Sequence, residues 1–153
     1  MPKIDIDNAP TRIGARYPEP YRGRVGALLR RRLGDGAGLT QFGVNLSTLA
    51  PGCVSALRHW HEAEDEFVYL LSGEVVLIEN DGETVLRPGD AAGFKAGVAN
   101  GHHLANRSGE PAIFLEVGSR LPDDRGHYPD DDFAYYKEGG AFRFTRKDGS
   151  ALG

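Results

Sequence analysis

The sequence predicts an all-β domain, folded as a sandwich or a closed barrel. Short segments with strand-like alternation recur along the chain, turn signals separate them, and helical periodicity is almost absent. With 153 residues, of which 40% are hydrophobic and 26% charged, the chain has the size and composition of one ordinary globular domain with one core.

Residues 1–23 are expected to form an extended arm with little regular structure of its own, of the kind that often lies on a partner subunit. Four prolines stand among polar residues in this arm. Residues 24–33 (RVGALLRRRL) mix basic and apolar side chains and fit either an edge strand or one short helix. The arginines of this segment are expected on a solvated face. The alternative is that these arginines attract an anion toward a nearby pocket, but their spacing does not support this role.

Residues 39–49 predict a half-buried strand, because Phe42, Val44 and Leu46 alternate with polar or small residues. After it, we expect Phe67 and Tyr69 to face outward against another layer of the fold. Further strands are expected at residues 74–79, 83–87 and 112–117, with turns at Asn80-Asp81-Gly82 and Pro88-Gly89-Asp90. These regularly spaced strands are the basis of the all-β prediction.

Residues 119–153 differ from the rest in composition, with an acidic cluster followed by an aromatic run. We expect this segment to close over the barrel or to dock on a neighbouring subunit, with its aromatic side chains as anchors. The cluster's five aspartates lack the fixed spacing of a calcium-binding loop and are interpreted as solvated surface. They are Asp123, Asp124, Asp130, Asp131 and Asp132.

The stretch from Pro51 to Gly73 holds the residues on which the functional hypothesis depends. His59 and His61 are two apart, so a strand would point both imidazoles at one spot. The polar run of residues 62–65 can bend the chain and return Glu66 to the same side. A distant segment, residues 93–111, could supply a third histidine, and such a donor set suits a first-row divalent metal.

This stretch resembles the first sequence motif of the cupins, G-x5-H-x-H-x3,4-E-x6-G. The matching residues are Gly52, His59, His61, Glu66 and Gly73, with one departure, since six residues instead of five separate Gly52 from His59.

The second cupin motif, G-x5-P-x-G-x2-H-x3-N, matches more loosely. Gly89, Gly97 and Asn106 fit it, and a shift of two residues places His102 at the histidine position, three residues before Asn106. The resemblance covers roughly residues 42–117.

The resemblance implies a single jelly-roll β-barrel over residues 24–118, between the N-terminal arm and the C-terminal tail. It also implies four metal ligands, His59, His61, Glu66 and His102. Only one of the adjacent histidines can face inward from a strand, and the motif match favours His102 over His103. A cupin without a metal is the alternative, because a fold does not determine a function.

Three histidines and one glutamate would leave coordination positions open on an octahedral metal, and zinc, iron, manganese and nickel all fit such ligands. The resemblance implies an enzyme that acts on a small oxygen-rich molecule, either a hydroxy or keto acid or a sugar derivative. Dioxygenase, decarboxylase, lyase and isomerase chemistry all remain open. The alternative is a non-catalytic cupin that binds or senses a small ligand, and a homodimer is expected by the same analogy.

Glu116 is the candidate catalytic residue. It is a charge inside the apolar run AIFLEV, and a buried carboxylate needs a partner, so a role as general base or as support for the metal ligands is one hypothesis. A glutamate on an open sheet face is the other.

The remaining features of the chain argue against several function classes. The formal charge of −4 argues against nucleic-acid binding. The sequence has no run of about eighteen apolar residues, so no membrane span is predicted. Residues 1–14 lack the apolar segment of a secretion signal. The lone Cys53 agrees with a reducing compartment, so a cytoplasmic location is expected.

Overall fold

The computed structural model describes residues 2–152, which form three antiparallel β-sheets and almost no helix. The helical elements are one turn of 3-10 helix (Arg22–Arg24) and the four-residue helix α1 (Leu33–Gly36). The strands are β1 (Thr11–Ile13), β2 (Leu28–Arg32), β3 (Phe42–Leu49), β4 (Trp60–His61), β5 (Glu66–Ser72), β6 (Val75–Glu79), β7 (Gly82–Leu86), β8 (Ala91–Phe94), β9 (His103–Ala105), β10 (Ala112–Ser119), β11 (Asp124–His127), β12 (Ala134–Glu138) and β13 (Ala141–Thr145). The all-β prediction is confirmed.

The largest sheet has six strands in the order β1-β2-β3-β10-β5-β8. A three-stranded sheet has the order β7-β6-β9, and a four-stranded sheet has the order β13-β12-β11-β4. The core lies between these sheets and draws on all of them. Its most buried apolar side chains include Leu28, Leu49, Leu70, Val75, Leu104, Phe114 and Phe133. Within residues 2–152, no helix is long and apolar enough to cross a membrane.

Strand β3 forms where alternation predicted it, but its two faces have unexpected roles. The side that carries Asn45 and Ser47 faces inward, and Ser47 is fully buried. The apolar side lies on the outer surface of the six-stranded sheet, where Phe42 is 41% exposed. The reason is that this end of the fold borders a cavity with polar as well as apolar lining, to which Asn45 contributes.

The outer surface of the six-stranded sheet is apolar. Phe67, Tyr69 and Leu71 alternate along β5 and remain exposed, and Ile13 on β1 is exposed as well. The expectation that another layer covers Phe67 and Tyr69 is therefore wrong for the chain within residues 2–152. The homodimer stays a prediction, which this exposed apolar surface supports.

The N-terminal arm has more structure than expected. Strand β1 pairs with β2 and adds an edge strand to the largest sheet, with Arg12 directly opposite Arg30. Tyr17 enters the core, where its ring lies 5.6 Å from that of Phe133. The arm is ordered because β2 offers it an unpaired edge and the C-terminal segment offers it an aromatic pocket. The segment after Arg24 contains both a strand, β2, and the single-turn helix α1.

The C-terminal segment packs on its own chain. Strands β11, β12 and β13 form a sheet with β4, which belongs to the predicted metal-binding stretch. Phe133 is fully buried and stacks on Phe144, with ring centroids 5.0 Å apart. The boundaries proposed for the arm, barrel and tail remain a prediction.

If the C-terminal segment is part of the core, Phe133→Ala should lower the free energy of unfolding by about 3–5 kcal/mol, because it opens a cavity at a fully buried site. Phe142→Ala is the matched control. That ring is 45% exposed, so its loss should cost less than about 1 kcal/mol. Chemical denaturation measures both values, and equal effects would contradict a core role for Phe133.

Candidate metal centre

His59 and His61 are brought together as their spacing predicted. His61 lies on β4, while His59 stands just before that strand and exchanges backbone hydrogen bonds with His102. The ring of His59 is 5.1 Å from that of His61 and 5.0 Å from that of His102. Three imidazoles from two distant parts of the sequence therefore converge.

Glu66 stands at the centre of these imidazoles. Its Oε1 lies 3.4 Å from Nε2 of His59 and 3.5 Å from Nε2 of His61, while its Oε2 lies 2.7 Å from Nε2 of His102. Donor atoms of His59, His61 and Glu66 all lie within 4.8 Å of one another. We call these four residues the His-Glu cluster.

The turn between β4 and β5 returns Glu66 to the histidine side, as its polar sequence predicted. Three backbone amides hold it, since those of Glu62, Ala63 and Asp65 donate to Arg125 O, Asp124 Oδ1 and Ser119 Oγ respectively. Because the turn moves the chain from the four-stranded to the six-stranded sheet, the odd spacing between His61 and Glu66 does not reverse the face.

Of the two adjacent histidines, the structure brings His102 to Glu66. The imidazole of His103 instead places Nδ1 at 2.7 Å from the carbonyl oxygen of Ala56. His102 is buried and stacks on Phe94, with centroids 3.6 Å apart and planes inclined by 3°. This stacking restricts the ring to the orientation that faces the cluster.

The Nδ1 contacts show that the cluster fits a metal. Nδ1 of His59 donates to Leu57 O at 2.7 Å, and Nδ1 of His102 donates to Asn100 O at 3.0 Å. Nδ1 of His61 donates to Asp124 Oδ2 at 2.5 Å. A proton held on Nδ1 leaves the lone pair for metal binding on Nε2, and all three Nε2 atoms face Glu66.

The protein's own charges favour ionised groups in the cluster. Burial alone raises the pKa of Glu66, but the charge of His59 and hydrogen bonds from the three imidazoles bring that pKa well below its usual range. Burial lowers the pKa of His61, but hydrogen bonds to Asp124 and Glu66 outweigh it and raise the pKa to about 10. The site is thus a carboxylate surrounded by imidazole N–H donors, which a divalent cation would replace.

Asp124 corrects the interpretation of the acidic cluster as solvated surface. Its carboxylate is fully buried, and it contacts both His61 and the amide of Ala63. Sequence reasoning missed it because 63 residues separate the two partners. Three more aspartates of this cluster form ion pairs, Asp130 with Arg58, Asp131 with Arg24 and Asp132 with Arg146.

Glu116 lies in the wall of the cavity next to the His-Glu cluster. Its Oε2 accepts a hydrogen bond from Arg30 Nε at 2.9 Å and another from Asn45 Nδ2 at 3.5 Å. The structure therefore favours the paired carboxylate over the glutamate on an open sheet face. Its catalytic role remains a prediction.

The cavity has a volume of about 320 Å³ and is bordered by His59, Glu66 and His102. Five basic side chains also line it: Arg12, Arg30, Arg32, Arg120 and Lys137. The expectation that the arginines of residues 24–33 lie on a solvated face is wrong for Arg30 and Arg32. Their alternate spacing on β2 would have placed them on one face, had the segment been interpreted as a strand.

Trp60, which stands between the two histidines in the sequence, does not line this cavity. Its indole stacks on the ring of His127, with centroids 4.2 Å apart.

Comparison with known proteins identifies the family. A cupin domain profile matches residues 45–118. A crystal structure from Silicibacter pomeroyi, described as a sugar phosphate isomerase from a cupin superfamily, is 46% identical. The match covers 99% of this chain and 96% of that one, with a TM-score of 0.94. The chain belongs to the cupin superfamily. The jelly-roll fold expected from the resemblance is confirmed.

Two further structures resemble this cupin. A putative sugar phosphate isomerase from Acidithiobacillus ferrooxidans is 30% identical, with a TM-score of 0.76, over 82% of this chain and 80% of that one. A predicted oxalate decarboxylase from Thermotoga maritima is 21% identical, with a TM-score of 0.62, over 78% of this chain and 99% of that one, and this likeness concerns the fold alone. No curated protein matched the sequence.

Because Asp124 orients His61, Asp124→Asn should weaken divalent-metal binding by about 10–100-fold, the usual effect of losing a carboxylate that supports a ligating histidine. Asp123→Asn is the matched control, since that neighbour is exposed and its carboxylate accepts a hydrogen bond from the amide of Gly139 instead of contacting His61. Competition with a fluorescent chelator measures the affinity. Equal affinity in the two variants would show that Asp124 does not support His61.

Proposed function

We propose that this cupin is a metal-dependent enzyme that isomerises a sugar derivative. The observation that carries the proposal is the position of the His-Glu cluster, whose three Nε2 atoms converge on one carboxylate and whose His59, Glu66 and His102 border a cavity. The cavity has the volume of a small-molecule site. The two relatives described as a sugar phosphate isomerase and a putative sugar phosphate isomerase support the choice of reaction.

In this proposal His59, His61, Glu66 and His102 hold one divalent ion, of zinc, iron, manganese or nickel. Such an ion acts as a Lewis acid toward the carbonyl and hydroxyl oxygens of a bound substrate. The protein positions its ligands through Leu57 O, Asn100 O and Asp124, which hold the Nδ1 protons.

An isomerisation of this kind moves one proton between adjacent carbons and a second proton between the oxygens on those carbons, and Glu116 is the proposed base for the carbon-bound proton. Arg30 and Asn45 both donate to Oε2, so Oε1 receives no hydrogen bond from residues 2–152. That oxygen is available to take a proton from a substrate carbon and return it to the neighbouring one.

The metal assignment predicts that His61→Ala and His102→Ala lose stoichiometric metal and activity together, because each removes one nitrogen donor. His103→Ala is the matched control for His102, since its ring contacts the carbonyl of Ala56 instead of Glu66. It should keep the metal. Elemental analysis of the purified proteins decides this, and full metal content in His61→Ala would refute the ligand set.

The reaction is tested on the same preparations with a panel of aldose and ketose phosphates under anaerobic conditions in deuterated water. Isomerisation without oxygen and with deuterium at the transferred position supports the proposal. A strict need for oxygen, or release of carbon dioxide, would contradict it in favour of other cupin chemistry. Tight binding without turnover would indicate a binding or sensing protein.

The role of Glu116 predicts that Glu116→Gln lowers kcat by about 10²–10⁴-fold while metal content stays unchanged, because the amide cannot accept the proton. Glu110→Gln, at an exposed glutamate, should retain full activity. Steady-state kinetics separates two roles for Glu116. A rise in KM at constant kcat would show that it only positions Arg30, and would contradict its role as the base.

A further inference from the structure

The basic side chains of the cavity form a second feature beside the His-Glu cluster. We define the cationic wall as Arg12, Arg30, Arg32, Arg120 and Lys137. We propose that the cationic wall is a binding subsite for a dianionic phosphate group, with Arg12 as its principal contact. Placing a substrate's phosphate there rests on the proposed function, whereas the subsite itself rests on the charges described below.

Carboxylates balance the cationic wall only in part. Arg30 pairs with Glu116, Lys137 pairs with Glu64, and Arg32 and Arg120 share the single carboxylate of Asp35. Five cations against three carboxylates leave an excess of two positive charges. A phosphate monoester carries between about −1.5 and −2 charges at neutral pH, which matches this excess.

Arg12 is the member of the cationic wall that has no acidic partner within residues 2–152. Within residues 2–152 its side chain forms no ion pair, and its Nε is buried without a hydrogen-bond partner. Burial and repulsion from Arg30, Arg16 and Arg32 lower the pKa of Arg12 to about 10, and Glu116 offsets this only weakly. A half-buried guanidinium with a buried, unpartnered Nε is costly, so an anion bound beside Arg12 would stabilise it.

Contacts within the protein hold the guanidinium of the neighbouring Arg30, whereas the guanidinium of Arg12 is available to a ligand. Arg30 donates to Glu116, to Gly14 O at 3.3 Å and to Ser55 O at 3.2 Å, so three contacts hold its guanidinium. Arg12 lies directly opposite Arg30 across the β1–β2 pair, a like-charge arrangement that destabilises a sheet. An arginine fork suits a phosphate, because it can donate two parallel hydrogen bonds.

The subsite is tested with inorganic phosphate alone, titrated calorimetrically into the full-length protein at about pH 8, where phosphate is dianionic. Arg12→Met should weaken phosphate binding at least about tenfold, the usual effect of losing a charged hydrogen-bond pair. Arg31→Gln is the matched control. Arg31 lies on β2 between Arg30 and Arg32 but is absent from the cavity lining and contacts Asp7 O, so phosphate binding should stay unchanged.

Two further arms separate this subsite from the metal ligands. Phosphate binding should persist after chelation of the metal and in His61→Ala. Binding that vanishes in both would place phosphate at the His-Glu cluster and overturn the proposal. Unchanged binding in Arg12→Met would overturn it equally.

Thermal unfolding gives a readout that a purely structural arginine would not produce. Without phosphate, Arg12→Met should melt at the same temperature as the unmodified protein or higher, because the substitution removes a half-buried charge that neighbouring arginines repel. Phosphate should raise the melting temperature of the unmodified protein and of Arg31→Gln, but not that of Arg12→Met. A lower melting temperature for Arg12→Met without phosphate, together with an undiminished phosphate effect, would show a structural role and overturn the proposal.

These experiments need no isomerase substrate, so either proposal can be refuted without refuting the other. Phosphate binding through Arg12 without any sugar isomerisation would leave the subsite standing and reject the proposed reaction. If the protein isomerises sugar phosphates but Arg12→Met leaves phosphate binding unchanged, only the subsite is rejected.

Discussion

The interaction on which the rest of the site depends is the contact of the Glu66 carboxylate with three imidazoles. Glu66 belongs to the six-stranded sheet, His61 to the four-stranded sheet, and His102 directly precedes β9 of the three-stranded sheet. The cluster therefore lies where all three sheets meet. A half-buried carboxylate at this point requires positive or hydrogen-bonding neighbours, and the sheets must stay in register to provide them.

Electrostatic balance links the cluster to the cavity around it. Glu66 is surrounded by imidazole N–H groups, and the adjacent cationic wall carries more positive charge than its carboxylates compensate. The cavity thus offers two different binding regions, one suited to a cation held by nitrogen and carboxylate donors, the other suited to an anion. A small sugar bearing a phosphate would have chemistry for both regions at its two ends.

Much of the fold was predictable because its signals are local. Alternating residues predicted β3, the turn residues predicted the β6–β7 hairpin, and the histidine spacing placed His59 and His61 together. The predictions that went wrong concern the environment of a face. Alternation shows that β3 has two unlike sides, but it does not show that the polar side lines a cavity while the apolar side stays exposed.

By itself, the amino-acid sequence determined strands β3, β6, β7 and β10 and the turn that returns Glu66, since each follows from a local pattern over a few residues. The choice of His102 over His103 came from the resemblance to the second cupin motif. Only the tertiary structure decided that Asp124 supports His61, that the C-terminal sheet holds β4, and that Arg12 faces Arg30 beside Glu116. These partners lie far apart along the chain, and local periodicity carries no information on which distant side chains will meet. Their contacts exist only once the three sheets have packed around one core.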